Sequence, residues 1–66
     1  MYEFGAVLKD NRHFHDHMNA GVPVEVYHHD VPVDIGLVTG IHESFVEIGK
    51  ALYHRGRYVF LSRPGY

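Results

Sequence analysis

The stretch from Asp34 to Ile48, DIGLVTGIHESFVEI, constrains the fold of this chain more than any other. Two apolar, β-branched segments flank a polar His-Glu-Ser sequence, a pattern typical of a β-hairpin. Gly36 and Gly40 fall inside the first segment, where each would cost a helix about 1 kcal/mol. In a strand, glycine marks bending or close backbone approach. We therefore predict a hairpin whose first strand bends at glycine, as small sheets do when they curl toward a barrel.

Alternation along this hairpin predicts which side chains share a face, because successive side chains of a strand point to opposite faces. One face of the first strand is assigned to Ile35, Leu37, Thr39 and Ile41. Val46 and Ile48 share a face of the second strand, with Phe45 on the opposite side.

Further strands are predicted at residues 2–8, 22–28, 51–53 and 58–62, with a turn at residues 29–33. This spacing predicts a single domain over residues 1–66 that is mainly all-β. The expected architecture is a small antiparallel, partly closed five-stranded barrel with one short helical turn within residues 10–20. An open two-layer sheet is the alternative.

The polar, histidine-rich segment that follows the first strand admits two interpretations. As a helix it would be capped by Asp10 or Asn11 and closed by Gly21. Phe14 and Met18, four residues apart, would then share one face. The alternative is an irregular polar loop.

The small size of the chain favours self-association. A chain of 66 residues buries only about 60% of its unfolded surface. Such scaffolds usually add disulfides, a metal or an oligomeric interface, and the absence of cysteine excludes disulfides and thiolate zinc sites. We therefore expect a homo-oligomer, formed when the strand at 58–62 pairs with its copy along an unpaired edge. The same edges and apolar strands also suit a protein partner.

Neither the apolar runs nor the N-terminus predicts a membrane protein. No run approaches the roughly 18 apolar residues of a spanning helix, and the N-terminus, MYEFGAVLKD, lacks a basic signal-peptide region. We expect a cytoplasmic protein.

Charge is distributed unevenly along the chain. The formal net charge is −2, yet residues 50–66 carry four basic side chains and no acid. Aromatic and basic side chains alternate there, a mixture that suits base stacking and phosphate contact. The candidate site for RNA or another anionic partner consists of Tyr53, Arg55, Arg57 and Arg63. The competing interpretation is a buried aromatic strand face with arginines on the surface.

Histidine is the second anomaly, at 7 of 66 residues. In the run HFHDH, His13 and His17 are four apart on a helix, and in a strand His13, His15 and His17 would share a face. Neutral imidazole is the commonest metal ligand, so these three residues are a candidate zinc or nickel site. The alternative is a solvated polar segment.

Catalytic constellations are not visible in the sequence. Ser44 lies near His42, but two residues of one turn do not make a triad without an orienting third group. The prediction is a non-enzymatic, self-associating binding or structural module that contacts RNA or another anionic partner through its C-terminal strand. The alternative is a histidine-based, metal-stabilised oligomer.

Three stretches, VEVYHHD, DIGLVTGIHESFVEIG and RGRYVFLS, resemble in order and type the strands of small Sm-like and SH3-like barrels. They are similar to the uncharacterised YuzF-type proteins of Gram-positive bacteria. The resemblance covers about two thirds of the chain. It implies an Sm-like barrel and ring formation by edge-strand pairing, and it carries over no RNA-binding residues.

Overall fold

The computed structural model describes residues 3–66 and is mainly β, with one short helix. The elements are β1 (Val7–Leu8), α1 (Asn11–Ala20), β2 (Val24–His28), β3 (Val31–Gly36), β4 (Val38–Ile41), β5 (Phe45–Ile48), β6 (Ala51–His54) and β7 (Val59–Ser62). The described residues thus hold seven strand segments where six were predicted, because the first strand of the predicted hairpin divides at Leu37 into β3 and β4. Tyr2, the start of the first predicted strand, lies outside the described residues. α1 has ten residues, too few for this helix, the one helix within residues 3–66, to cross a lipid bilayer.

The helical interpretation of the histidine-rich segment is confirmed. Asp10 and His13 form a capping box at the start of α1, and the Asp10 N–H donates to His13 Nδ1 at 3.3 Å. Gly21 ends the helix in the left-handed conformation, at φ 66°, which glycine adopts without steric cost. Phe14 is buried and Met18 packs against the same core, as their spacing predicted.

A four-stranded antiparallel sheet has the order β1-β7-β2-β3. The turn between β2 and β3 contains only His29 and Asp30, both at positive φ (50° and 63°), as in a type I′ hairpin turn. The predicted turn at residues 29–33 was therefore too long, since β3 begins at Val31. Pro32 lies in β3, at an edge of the sheet where a missing N–H is tolerated.

A three-stranded antiparallel sheet has the order β4-β5-β6. Val38 pairs with Ile48 and Gly40 with Glu47, so Thr39 is an extra residue in β4. Val38 is buried between the exposed Leu37 and Thr39, and beyond the bulge Ile41 packs against the core. The predicted alternation therefore holds from Leu37 to Thr39, but Ile41 does not share their exposed face, because alternation fails at a bulge. The prediction that Val46 and Ile48 share a face is confirmed, and that face is the buried one.

The core lies between the two sheets and the helix. Phe14 from α1 and Phe60 from β7 meet edge to face, with ring centroids 5.3 Å apart. The buried apolar residues are Leu8, Phe14, Val24, Val26, Val38, Val46, Ile48 and Phe60.

The last strand, β7, is not an edge. It pairs with β2 on one side, and on the other Val7 and Leu8 of β1 pair with Leu61 and Phe60. The prediction that residues 58–62 offer an open edge to a second copy was therefore wrong, because the N-terminal strand already covers most of it.

Candidate functional site

The four residues of the predicted anionic site do not form one surface. Arg57 and Arg63 lie just beyond opposite ends of β7, and Arg55 lies in the turn that follows β6. Each arginine therefore has its own set of contacts.

Arg55 fastens the helix to the sheets. Its guanidinium donates to Asn11 Oδ1 at 2.5 Å and to the carbonyl oxygens of His42 and Lys9, each at 3.0 Å. It also lies over the ring of Phe14, 5.0 Å from the centroid. These contacts engage both terminal nitrogens of the guanidinium and join α1 to the sheets, so Arg55 is a structural residue in this arrangement.

Arg63 is engaged in the same way on the four-stranded sheet. Its Nε donates to Glu25 Oε1 at 2.7 Å, and its guanidinium lies over the ring of Phe4. The hydrogen bond to Glu25 raises the pKa of Arg63 despite the opposing effect of burial. Its charge is neutralised within the chain.

Tyr53 points its hydroxyl inward rather than toward a ligand. The phenol donates to Asp34 Oδ2 at 2.5 Å. Partial burial, together with the hydrogen bond and negative charge of Asp34, raises the pKa of Tyr53 to about 12. Tyr53 also contacts the ring of Tyr58 edge to face, at 5.1 Å.

Arg57 is the exception. It is exposed in the turn before β7, and within residues 3–66 its guanidinium has no ion pair. It lines a shallow groove of about 410 Å³. We call this the Arg57 groove, and its lining residues are Phe45, Leu52, His54, Arg57 and Tyr58.

The sequence of the turn determines the shape of this groove. The Gly56 N–H donates to His54 Nδ1 at 3.0 Å, and a Cβ at Gly56 would lie 3.1 Å from His54 Cε1. A larger residue here would require the His54 ring to move by a few tenths of an ångström. Because Nδ1 accepts that bond, a neutral His54 carries its proton on Nε2 and retains a donor.

Aromatic rings surround the groove. Phe45, 40% exposed, meets His54 edge to face at 5.1 Å. Tyr58 contacts His28 at 4.8 Å, and His28 contacts His29 at 4.1 Å. A solvent-facing arginine therefore lies among flat apolar and imidazole surfaces, a combination that can contact a base and a phosphate together.

The three candidate metal ligands are not brought together on one surface. His13 is half-buried and His15 exposed, whereas His17 is 1% exposed. His13 Nδ1 accepts hydrogen bonds from the N–H groups of Lys9 and Asp10. Among residues 3–66, no group of three or more histidine, cysteine or acidic residues is arranged to hold a metal ion.

His17 instead forms a buried polar contact that the sequence analysis missed. Its Nδ1 lies 2.8 Å from His13 O and its Nε2 lies 2.6 Å from Ser62 Oγ. A carbonyl can only accept, so Nδ1 donates, and in the neutral ring Nε2 accepts from the Ser62 hydroxyl. Ser62 is fully buried, so this serine–histidine pair is not accessible to a substrate in solution. No local sequence signal joins two residues 45 positions apart.

Comparison with known proteins gives no assignment. No family model matches the chain, and neither a curated protein nor a solved structure matches it.

Proposed function

We propose that the protein is a non-enzymatic binding module that contacts single-stranded RNA through the Arg57 groove. The supporting observation is that Arg57, alone among the four predicted residues, is solvent-facing and lies beside Phe45, His54 and Tyr58.

The chemistry of this contact divides among three side chains. Phe45 offers an exposed ring for stacking, which contributes about 1–3 kcal/mol per base in proteins that bind single strands. Arg57 meets a phosphate, and His54 donates from Nε2. With a formal net charge of −2, the chain has no general attraction for polyanions, so binding depends on this groove and weakens with salt.

We also infer that the two sheets are parts of one partly closed barrel, as the Sm-like and SH3-like resemblance implies. The support is that β3 and β4 are separated by Leu37 alone, so nearly one continuous strand serves both sheets. A core that draws on both sheets suits the same architecture.

The metal-binding alternative draws less support. A site on His13, His15 and His17 would require a zinc or nickel ion to displace the contacts that His17 makes with His13 and Ser62. We therefore rank it second.

The test is fluorescence anisotropy with a short labelled single-stranded RNA at low and moderate salt. Arg57→Ala should weaken binding about tenfold and reduce the salt dependence, because one phosphate contact is lost. Phe45→Ala should weaken binding by a similar factor at every salt concentration, because stacking is not electrostatic.

Arg12→Ala is the matched charge control, since Arg12 is an exposed arginine on α1. Equal losses for Arg57→Ala and Arg12→Ala would indicate nonspecific attraction and contradict the proposal. If the protein bound heparin or an acidic peptide but not RNA, the groove would still be a binding site, and the proposal of RNA as its ligand would be wrong.

A further inference from the structure

The strand edges of this protein differ in how well they are protected against pairing. In the four-stranded sheet, β1 has only two residues, and β3 contains Pro32 and a bulge. In the three-stranded sheet, β4 contains the Thr39 bulge and lies against α1. Proline, bulges and short length are the usual means of blocking an edge.

β6 has none of these protections. It reads Ala-Leu-Tyr-His, without proline or a charged residue, and its register with β5 is unbroken. Leu52, at its centre, is 57% exposed. Among the described residues, β6 is therefore the one regular and unprotected edge.

The ladder with β5 shows which backbone groups of β6 point outward. The Arg55 N–H donates to Ser44 O at 2.8 Å. Antiparallel bonding alternates along a strand, so Tyr53 and Ala51 also bond to β5, whereas the N–H and C=O of Leu52 point away from the sheet. His54 shares this orientation, but its carbonyl accepts from Arg57 and Tyr58.

We propose that β6 pairs in antiparallel register with β6 of a second copy, about a twofold axis at Leu52. The Leu52 N–H of each copy donates to the Leu52 carbonyl of the other. The free His54 N–H then faces the Lys50 carbonyl of the second copy. The two three-stranded sheets become one six-stranded sheet with paired Leu52 side chains on its surface.

A second copy of the chain is the favoured partner because, among the described strands, only β6 of another copy offers an equally regular open edge. Head-to-tail assembly into a ring would need a second open edge, and β1 covers most of β7. A single open edge that pairs with itself gives a closed twofold dimer. The pairing goes beyond the proposed RNA contact and does not depend on it.

The first test is sedimentation equilibrium over a range of concentrations. The wild-type mass should rise from 7.6 kDa toward about twice that value. Leu52→Lys should remain monomeric because it places a charge at the centre of the edge. Leu37→Lys, at an exposed leucine outside β6, should dimerise like the wild type. A wild type that is monomeric throughout, or equal behaviour of the two variants, would overturn the pairing.

The second test covers the case in which Leu52→Lys fails to fold. The chain has no cysteine, so Leu52→Cys introduces a single thiol. The twofold register brings the two position-52 Cα atoms to about 5.5 Å, within the disulfide range of about 4.4–6.8 Å. Mild oxidation should convert Leu52→Cys to a covalent dimer far faster than Leu37→Cys. Equal rates of disulfide formation in the two variants would overturn the proposal. A wild-type protein that is monomeric and still binds RNA would overturn the pairing but not the proposed RNA contact.

Discussion

Two arginines separated by one residue have opposite surroundings in this protein. Arg55 lies at the junction between α1 and the sheets, where Asn11 and two backbone carbonyls take up its donors. Arg57 lies at the end of the same turn, in the exposed groove. The histidines show the same contrast, since His17 is buried at the junction and His54 lines the groove. The junction therefore uses polar side chains for stability, and the groove leaves them available for binding.

The largest effect should come from His17→Ala at the junction. The substitution opens a cavity and removes the hydrogen bond of the buried Ser62 hydroxyl, so we expect the free energy of unfolding to fall by about 3 kcal/mol. In a domain of this size the thermal midpoint should fall by about 4 °C or more per kcal/mol. His15→Ala, on the exposed face of α1, is the control and should change stability by less than about 0.5 kcal/mol. Equally small stability changes for His17→Ala and His15→Ala would show that the buried histidine contributes no more to stability than the exposed one.

The arginine pair gives the next largest effect. Arg55→Ala should destabilise the protein by about 1.5 kcal/mol, because it removes charge-assisted hydrogen bonds and the contact with Phe14. Arg57→Ala should change stability by less than about 0.5 kcal/mol. Urea unfolding of both variants measures the difference. A stability loss for Arg57→Ala equal to that for Arg55→Ala would show that the groove arginine is also structural.

Tyr53 contacts Asp34 of β3 and the groove residue Tyr58, and the effect of replacing it should be smaller. Tyr53→Phe removes the hydrogen bond to Asp34 and should cost about 1 kcal/mol at neutral pH. The folded-state pKa of about 12 exceeds the ordinary value of 10.0. The stability contribution is therefore complete below pH 10 and is lost as pH rises through about 12.

Tyrosinate absorbance during an alkaline titration measures this directly. Wild type should contain one phenol that ionises near pH 12 and that is missing in Tyr53→Phe. Indistinguishable titration curves for the wild type and Tyr53→Phe would contradict the hydrogen bond between Tyr53 and Asp34.

The smallest effect should be that of added metal. Because the ring nitrogens of His17 face His13 and Ser62, we expect zinc and nickel to leave the thermal midpoint unchanged. A rise that disappears in His15→Ala would instead establish the metal-stabilised alternative.

Local rules predicted part of the fold well. The helix termini followed from Asp10 and Gly21, and the buried face followed from the spacing of Phe14 and Met18, because capping and helical periodicity act within a few residues. The prediction that Ile41 shares a face with Leu37 and Thr39 was wrong because Thr39 forms a bulge, and a bulge depends on the partner strand. The edge position assigned to β7 was wrong because Val7 and Leu8 pair with it from more than 50 residues away.

The candidate site shows the same division. Composition and spacing alone indicated that basic and aromatic side chains concentrate near the C-terminus. They also indicated a mainly β chain and a cluster of histidines near the start. Tertiary structure decided which of these side chains are already bonded inside the chain: Arg55 to the helix, Arg63 to Glu25, and His17 to Ser62. The physical reason is that a side chain's availability depends on donors and acceptors supplied by strands distant in sequence.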